Sequence, residues 1–293
     1  MTAIGMIGLG LMGSAMAERL MAAGRHVIGY DTDAAQCEAL RIAGGSVAGS
    51  AQNVALQCEI IVLAVYDAAQ VEASLSQWIG ADDRKPPVVL CTTTCSPDDI
   101  LRIAACATAS RIWLVEMPVS GTSAEVRAGT AACLLAGDEA TIAAVRGIID
   151  ILFPRSVATG PIGSASRTKL AINLILQGNR AALAEGIVFA ERVGLNAATF
   201  LSAAQASAAW SAVMDTKGEK MLMRDYRPQS RISQTLKDAE LILTEAARLD
   251  LELPMTTTQA ALLRKAMDLC GADSDSSAVI EAIRQPADAR TRQ

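Results

Sequence analysis

Up to about residue 160 this chain alternates short apolar runs with segments of helical periodicity; beyond that point the strand signals stop. The apolar runs are AIGMIG (3–8), HVIGYD (26–31), EIIVLAVYD (59–67), PPVVLCT (86–92), RIWLVEMP (111–118) and AACLLAG (131–137). Each is short enough for a buried strand. Between them lie helical patterns such as LMGSAMAERLMAAG (11–24), which Gly24 closes as a C-terminal cap, and DAAQCEALRIAGG (33–45). Asp33 and Gln36 predict a capping box at the second of these. Strands alternating with helices require a mostly parallel sheet covered on both faces. After residue 160 one helix is predicted over Ser164–Val193, ended by Gly194. Asn196 then caps another, and SQTLKDAELILTEAARL and TTTQAALLRKAMDL continue the helical pattern. The closing QPADARTRQ is polar and expected to fray. The chain therefore reads as an α/β domain (1–163) followed by an all-helical domain (164–293), joined by the long helix.

The 293 residues are long for one core and fit two domains. Net charge is −5, with no block of Lys and Arg, so nucleic acid has no electrostatic footprint here. No apolar run reaches the roughly 18 residues of a membrane span. The apolar first 24 residues do not read as a secretory signal, because no Lys or Arg precedes Arg19 and Glu18-Arg19 interrupt the apolar core. A cytoplasmic protein is expected. Seven cysteines form no C-x-x-C pair, which fits small core residues in a reducing compartment. Cys91 and Cys95 flank TTT, which is no zinc spacing, and no metal is expected. The single histidine, His26, follows the first helix and reads as a turn residue. One imidazole so placed excludes Ser-His-Asp hydrolysis, His-ligated metal sites and His-based dehydrogenation.

Three stretches carry chemistry. GLGLMG (8–13) is G-x-G-x-x-G between a strand and a helix. In that setting Gly8 permits the tight turn, Gly10 lets the backbone approach a pyrophosphate, and Gly13 lets helix and strand pack closely. Leu9, Leu11 and Met12 complete the loop. The second strand ends in Asp31, which can accept hydrogen bonds from ribose hydroxyls, since Asp33 serves better as the helix cap. Asp31 would repel a 2′-phosphate and Thr32 offers no positive charge, so NAD is expected over NADP. EMPVSGTSAEVRAG (116–129) places Ser120, Gly121 and Thr122 before a short helix. Backbone N–H groups and a serine hydroxyl there suit a carboxylate; by pattern alone, a plain strand-to-helix turn is the simpler reading. In GPIGSASRTKLAINL (160–174), Lys169 and Asn173 share one face of an otherwise apolar helix. Spacing alone fits a snorkelling lysine as well as a catalytic one.

Taken together these stretches resemble the β-hydroxyacid dehydrogenase family, typified by 3-hydroxyisobutyrate dehydrogenase. GLGLMGSAMAERLMAAG resembles its cofactor loop, and EMPVSGT its D-x-P-V-S-G-G substrate loop. GPIGSASRTKLAIN resembles its signature G-x-x-G-x-G-x-x-x-K-x-x-x-N, and LKDAEL its late lysine-aspartate motif. The motifs run in order from residue 8 to 241. Glu116, Thr122 and Ala165 depart from the usual Asp, Gly and Gly, and none removes a reacting group. The resemblance implies a Rossmann-type doubly wound domain, then an all-α domain, and an NAD-dependent oxidoreductase. The substrate would be a small carboxylate, a β-hydroxy acid or its semialdehyde. It implies that Lys169 is the general acid and base, with Asn173 keeping lysine and substrate in register. Ser120, Gly121 and Thr122 would bind the carboxylate, Lys237 would close the cleft beside the cofactor, and Val65 and Thr94 would touch the nicotinamide half. An imine reductase on the same scaffold and a non-catalytic dinucleotide-binding module are the alternatives, and Lys169 with Asn173 speaks against both. The long apolar helix suggests a homodimer or homotetramer.

Overall fold

The computed structural model describes residues 3–76, 78 and 87–285. Pro86, at the head of one expected strand, and the tail from Pro286 with its expected fraying lie outside the described residues. The strands are β1 (Ile4–Ile7), β2 (Val27–Tyr30), β3 (Ser46–Val47), β4 (Ile60–Leu63), β5 (Val88–Cys91), β6 (Trp113–Glu116), β7 (Val119–Ser120), β8 (Ala132–Ala136) and β9 (Arg155–Gly160). The helices are α1 (Leu11–Ala22), α2 (Ala34–Ile42), α3 (Ala51–Gln57), α4 (Ala68–Ser76), α5 (Pro97–Ala109), α6 (Ser123–Ala128), α7 (Glu139–Ala144), α8 (Arg146–Leu152), α9 (Ser164–Arg192), α10 (Ala197–Gln205), α11 (Glu219–Met223), α12 (Ile232–Arg248), α13 (Pro254–Cys270) and α14 (Val279–Arg284). A π-helical turn, Met214–Gly218, precedes α11, and a 3-10 turn, Ser276–Ala278, precedes α14.

The chain divides into two compact units, Met1–Lys169 and Leu170–Gln293. The first is built on one sheet in the order β3-β2-β1-β4-β5-β6-β8-β7, with β9 beside β8. The run from β3 to β6 is parallel, β8 is antiparallel to β6 and β7, and β9 is parallel to β8. This is the mostly parallel sheet expected from the alternation, in the Rossmann-type order that the family resemblance implies. Side chains alternate across the sheet and both sides are buried, which is why the strands read as continuous apolar runs. Met6, Val62 and Leu90 enter the core shared with Met16 and Leu20 of α1 and Ile149 and Leu152 of α8. Ile7, Ile61, Leu63 and Val89 enter the opposite core with Val54 of α3, Val71 of α4 and Ile100 and Ile103 of α5.

The second unit is helical throughout. Its core gathers Leu183, Ile187 and Val188 of α9 with Leu201, Met221, Leu236, Leu263 and Ile280. Helix α9 ends as the sequence predicts, with Gly194 at φ +84° and Leu195 N–H returning to the Ala190 carbonyl. Asn196 caps α10 through Thr199 N–H.

At α2 the expected capping box is a simple cap. The Asp33 carboxylate accepts from Ala35 N–H, but its own N–H is donated to Asp31 Oδ1 at 2.9 Å, so Gln36 has no donor to answer. A reciprocal box forms instead at Thr122 and Glu125 on α6. His26 lies just before β2, its Nε2 2.9 Å from the Ser46 hydroxyl. All seven cysteines are free thiols, four of them buried. Burial pushes the Cys58 thiol up to about 11 and the Cys133 thiol up to about 12, so both are inert packing groups. Among the described residues no group of side chains could hold a metal ion, and no helix is long and apolar enough to cross a membrane.

Candidate active site

The glycine loop joins β1 to α1 at the carboxyl edge of the sheet, where the strand order reverses direction around β1. Open α/β sheets bind ligands at such a switch point. Gly8 has φ +86°, and a Cβ there would stand 2.4 Å from the Ala64 carbonyl oxygen. A Cβ on Gly13 would stand 1.9 Å from the Gly8 carbonyl oxygen. Only glycine fits either place. At Gly10 a Cβ would meet nothing within 4 Å, so the loop is open where a pyrophosphate would approach the start of α1. Leu9 turns its side chain into the core, 1% exposed, while Leu11 and Met12 are half-buried in the first turn of α1.

Asp31 stands one residue past β2. Its Oδ2 accepts from Leu9 N–H at 2.6 Å and its Oδ1 from Asp33 N–H. An ionised carboxylate has about four acceptor sites, so capacity for ribose hydroxyls remains. Val65 follows β4, and its carbonyl accepts from the Thr93 hydroxyl at 3.0 Å. Thr94 follows β5, half-buried. The ends of β1, β2, β4 and β5 thus bring the glycine loop, Asp31, Val65 and Thr94 to one edge.

At the second loop, β7 ends at Ser120. Gly121 takes φ +151°, and a Cβ there would press to 2.8 Å from Ala131 Cβ. Thr122 forms the capping box: its N–H donates to Glu125 Oε2 at 2.7 Å, and its Oγ1 accepts from Glu125 N–H at 3.3 Å, which leaves the hydroxyl hydrogen able to donate. Ser120 is half-buried.

Glu116, at the end of β6, is 1% exposed and accepts three bonds from the start of α9. Gly163 N–H reaches its Oε2 at 2.6 Å; Ser166 N–H and the Ser166 hydroxyl reach its Oε1 at 2.5 Å each. A carboxylate at a helix N-terminus satisfies its orphan N–H groups and opposes its dipole. Sequence reasoning noted Glu116 only as a departure from aspartate and missed this anchoring role. Lys169 follows Ser166 by three residues and is 5% exposed; Asn173 is 4% exposed one turn further on. Asn173 Nδ2 donates to Asp238 Oδ2 at 2.8 Å. Lys237, the other half of the late motif, has its Nζ 3.4 Å from Asp238 Oδ1. The acidic half of that motif is thus what holds Asn173, a role the sequence left unassigned. Gln177, another turn along α9, was also missed. It is 2% exposed, donates to the Thr235 carbonyl and accepts from Gln259.

Comparison with known proteins agrees with this construction. Residues 3–159 match the family described as the NAD binding domain of 6-phosphogluconate dehydrogenase. Residues 163–283 match the family described as the NAD-binding domain of NADP-dependent 3-hydroxyisobutyrate dehydrogenase. The chain is 29% identical to 2-hydroxy-3-oxopropionate reductase of Escherichia coli K12, over 96% of each chain. It is 32% identical to a probable mitochondrial 3-hydroxyisobutyrate dehydrogenase-like protein of Arabidopsis thaliana, over 89% of this chain and 86% of that one. The crystal structure of 3-hydroxyisobutyrate dehydrogenase from Salmonella typhimurium superposes with a TM-score of 0.87 at 26% identity, covering 96% of this chain and 99% of that one. A nucleotide-binding α/β unit followed by a helical unit, with these motifs in order, defines a dinucleotide-dependent oxidoreductase. The chain belongs to the β-hydroxyacid dehydrogenase family.

Proposed function

We propose that this chain interconverts a small β-hydroxy acid and its semialdehyde or keto form, with NAD preferred over NADP and Lys169 as general acid and base. The observation that carries the reading is a buried lysine, one turn from a buried asparagine, on a helix whose first turn is fastened by a buried carboxylate. NAD, bound at the glycine loop, supplies the hydride acceptor for oxidation. Lys169 Nζ takes the proton of the substrate hydroxyl in that direction and returns it in reverse. Asn173, fixed through its amide nitrogen by Asp238, keeps an amide oxygen able to accept from an ammonium or a hydroxyl. The Ser120 hydroxyl and Gly121 N–H hold the substrate carboxylate. The Thr122 hydroxyl donates to the same carboxylate, its N–H being committed to Glu125. Lys237 meets the cofactor, and Val65 and Thr94 meet its nicotinamide half. Asp31, with Thr32 beside it and no arginine, supports NAD as the preferred cofactor.

The exposed Ile175, Phe189 and Val193 lie on one side of α9 and support self-association as a dimer or tetramer. Seven free thiols support a cytoplasmic setting. The named relatives act on hydroxy acids or semialdehydes, and the imine-reductase and non-catalytic readings are not favoured. The test is NADH absorbance over a panel of small β-hydroxy acids and their semialdehydes, each acid paired with its methyl ester. Turnover of at least one acid, with a poor ester, is expected. A folded protein that turns over none with either cofactor would end the reading; an ester as good as its acid would remove the carboxylate role of Ser120 and Gly121.

A further inference from the structure

Helix α9 carries one inward polar stripe: Lys169, Asn173, Gln177 and Arg180, all buried. The proposed reaction uses the first two, and Gln177 is satisfied by Thr235 and Gln259. Arg180 is not. It is 6% exposed, yet its Nε and Nη1 have no hydrogen-bond partner. A buried guanidinium without acceptors is costly in both desolvation and unmade bonds.

The carboxylates within electrostatic reach are engaged by other donors. Asp275 accepts twice from Lys217 Nζ, at 2.8 and 2.9 Å, and again from the N–H groups of Gln229, Ser230 and Ser277. Asp238 Oδ2 accepts from Asn173. Burial pushes the Arg180 guanidinium down to about 10, against the pull of Asp275 and Asp238. Lys217 is paired with Asp275, and Lys237 Nζ stands 3.4 Å from Asp238 Oδ1, so each carboxylate that attracts Arg180 also faces a lysine. Asp238 links Arg180 to Asn173, since it accepts from the Asn173 amide and attracts the guanidinium.

We propose that Arg180 anchors a second oxyanion of the substrate, so that the preferred substrates are β-hydroxy acids with a carboxylate or like group at the far end. This rests on the reading that places Asn173 at the substrate. The guanidinium is suited to the role because its fork meets a carboxylate with two parallel bonds.

The test is ligand-induced thermal stabilisation, with glutarate, butyrate and inorganic phosphate added to wild type, Arg180→Met and Arg180→Lys. Glutarate should raise the wild-type melting temperature well above the effect of butyrate. The difference should vanish in Arg180→Met and return in part in Arg180→Lys. In turnover, the ratio of kcat/KM for a hydroxy diacid to that for a hydroxy monoacid should fall about 10- to 100-fold in Arg180→Met, the loss of one or two charge-assisted bonds. Equal protection of wild type by glutarate and butyrate overturns the proposal, and that comparison stands even if Arg180→Met does not fold. Arg180-dependent protection by phosphate as strong as that by glutarate assigns the site to a free anion and also overturns it. Glutarate protection that needs Arg180, in a protein that oxidises no hydroxy acid, upholds the anion site and puts the failure on the dehydrogenase reading.

Discussion

Replacing Glu116 by glutamine keeps the shape of the side chain and removes its charge. In the native fold one carboxylate oxygen faces Gly163 N–H and the other faces both donors of Ser166. An amide has one accepting oxygen, so one of those places becomes an NH2 group facing a donor. Each charge-assisted bond is worth about 1.5–3 kcal/mol. Losing one bond, weakening the rest and burying a donor against a donor should cost about 2–4 kcal/mol. Glu116→Ala, which leaves all three donors without an acceptor, should cost about 3–5 kcal/mol. Glu116→Asp is one methylene short of holding Gly163 and Ser166 together, so it should fall between wild type and Gln. Lys169 is one turn past Ser166, so a loosened first turn misplaces its ammonium. We expect kcat to fall at least about tenfold in Glu116→Gln, the scale on which small misplacements act, with little change in NADH affinity. The assays are urea denaturation for stability, NADH fluorescence titration for binding, and steady-state turnover. A Glu116→Ala protein within about 1 kcal/mol of wild type would refute the anchoring argument, and an undisturbed kcat in a folded Glu116→Gln would refute its link to Lys169.

Lys169→Arg should lose about 10²- to 10⁴-fold in kcat, nearly as much as Lys169→Ala, because guanidinium does not release its proton at working pH; a folded Arg variant with near wild-type kcat would remove the general-base role. NAD should be preferred over NADP by about tenfold or more in kcat/KM, roughly 1.4 kcal/mol, and equal use of NADP would cancel the ribose role of Asp31. For Asp275, burial raises the carboxyl, but the Lys217 ammonium and the N–H groups of Gln229 and Ser277 together hold it below the usual 3.8. A folded-state value below the unfolded one means stability that is present above the ordinary carboxylate pKa and drains as pH falls through it. Acid unfolding followed by circular dichroism should therefore show a limb that begins near that value and flattens in Asp275→Asn, and an unchanged limb would contradict the assignment.

Much of the first unit was legible because its strands are buried on both faces and its turns need glycine. Ile4–Ile7, Val27–Tyr30 and Ile60–Leu63 lie within their predicted runs. Strand β9 was not legible: Arg155–Gly160 is half-exposed and polar, and only pairing with β8 makes it a strand. Strands β3 and β7, two residues each, carry too few side chains for any period to show. Thr122 and Glu125 form the [ST]-x-x-E pattern of a capping box, a signal present in the sequence and overlooked in favour of Asp33 and Gln36. The inward stripe of α9 was seen only in part. Lys169 and Asn173 stand out from apolar neighbours, but Gln177 and Arg180 sit among Gly178, Asn179 and Ala181, where a helix face reads as solvent. That they are buried is a tertiary fact; at Gln177 it comes from Thr235 of α12 and Gln259 of α13, which bond to it.

The glycine loop has a consequence for the cost of binding. Gly8 N–H is held by the Tyr30 carbonyl, Leu9 N–H by Asp31, and the Gly13 turn rests against the Gly8 carbonyl. The loop is thus held by two hydrogen bonds to the end of β2 and by close packing within itself before any nucleotide arrives. Ordering a flexible backbone segment costs on the order of 1–2 kcal/mol per residue, and here folding has already met that cost. Cofactor association should accordingly be a single fast step without a slow loop rearrangement, and its heat-capacity change should reflect surface covered rather than chain ordered.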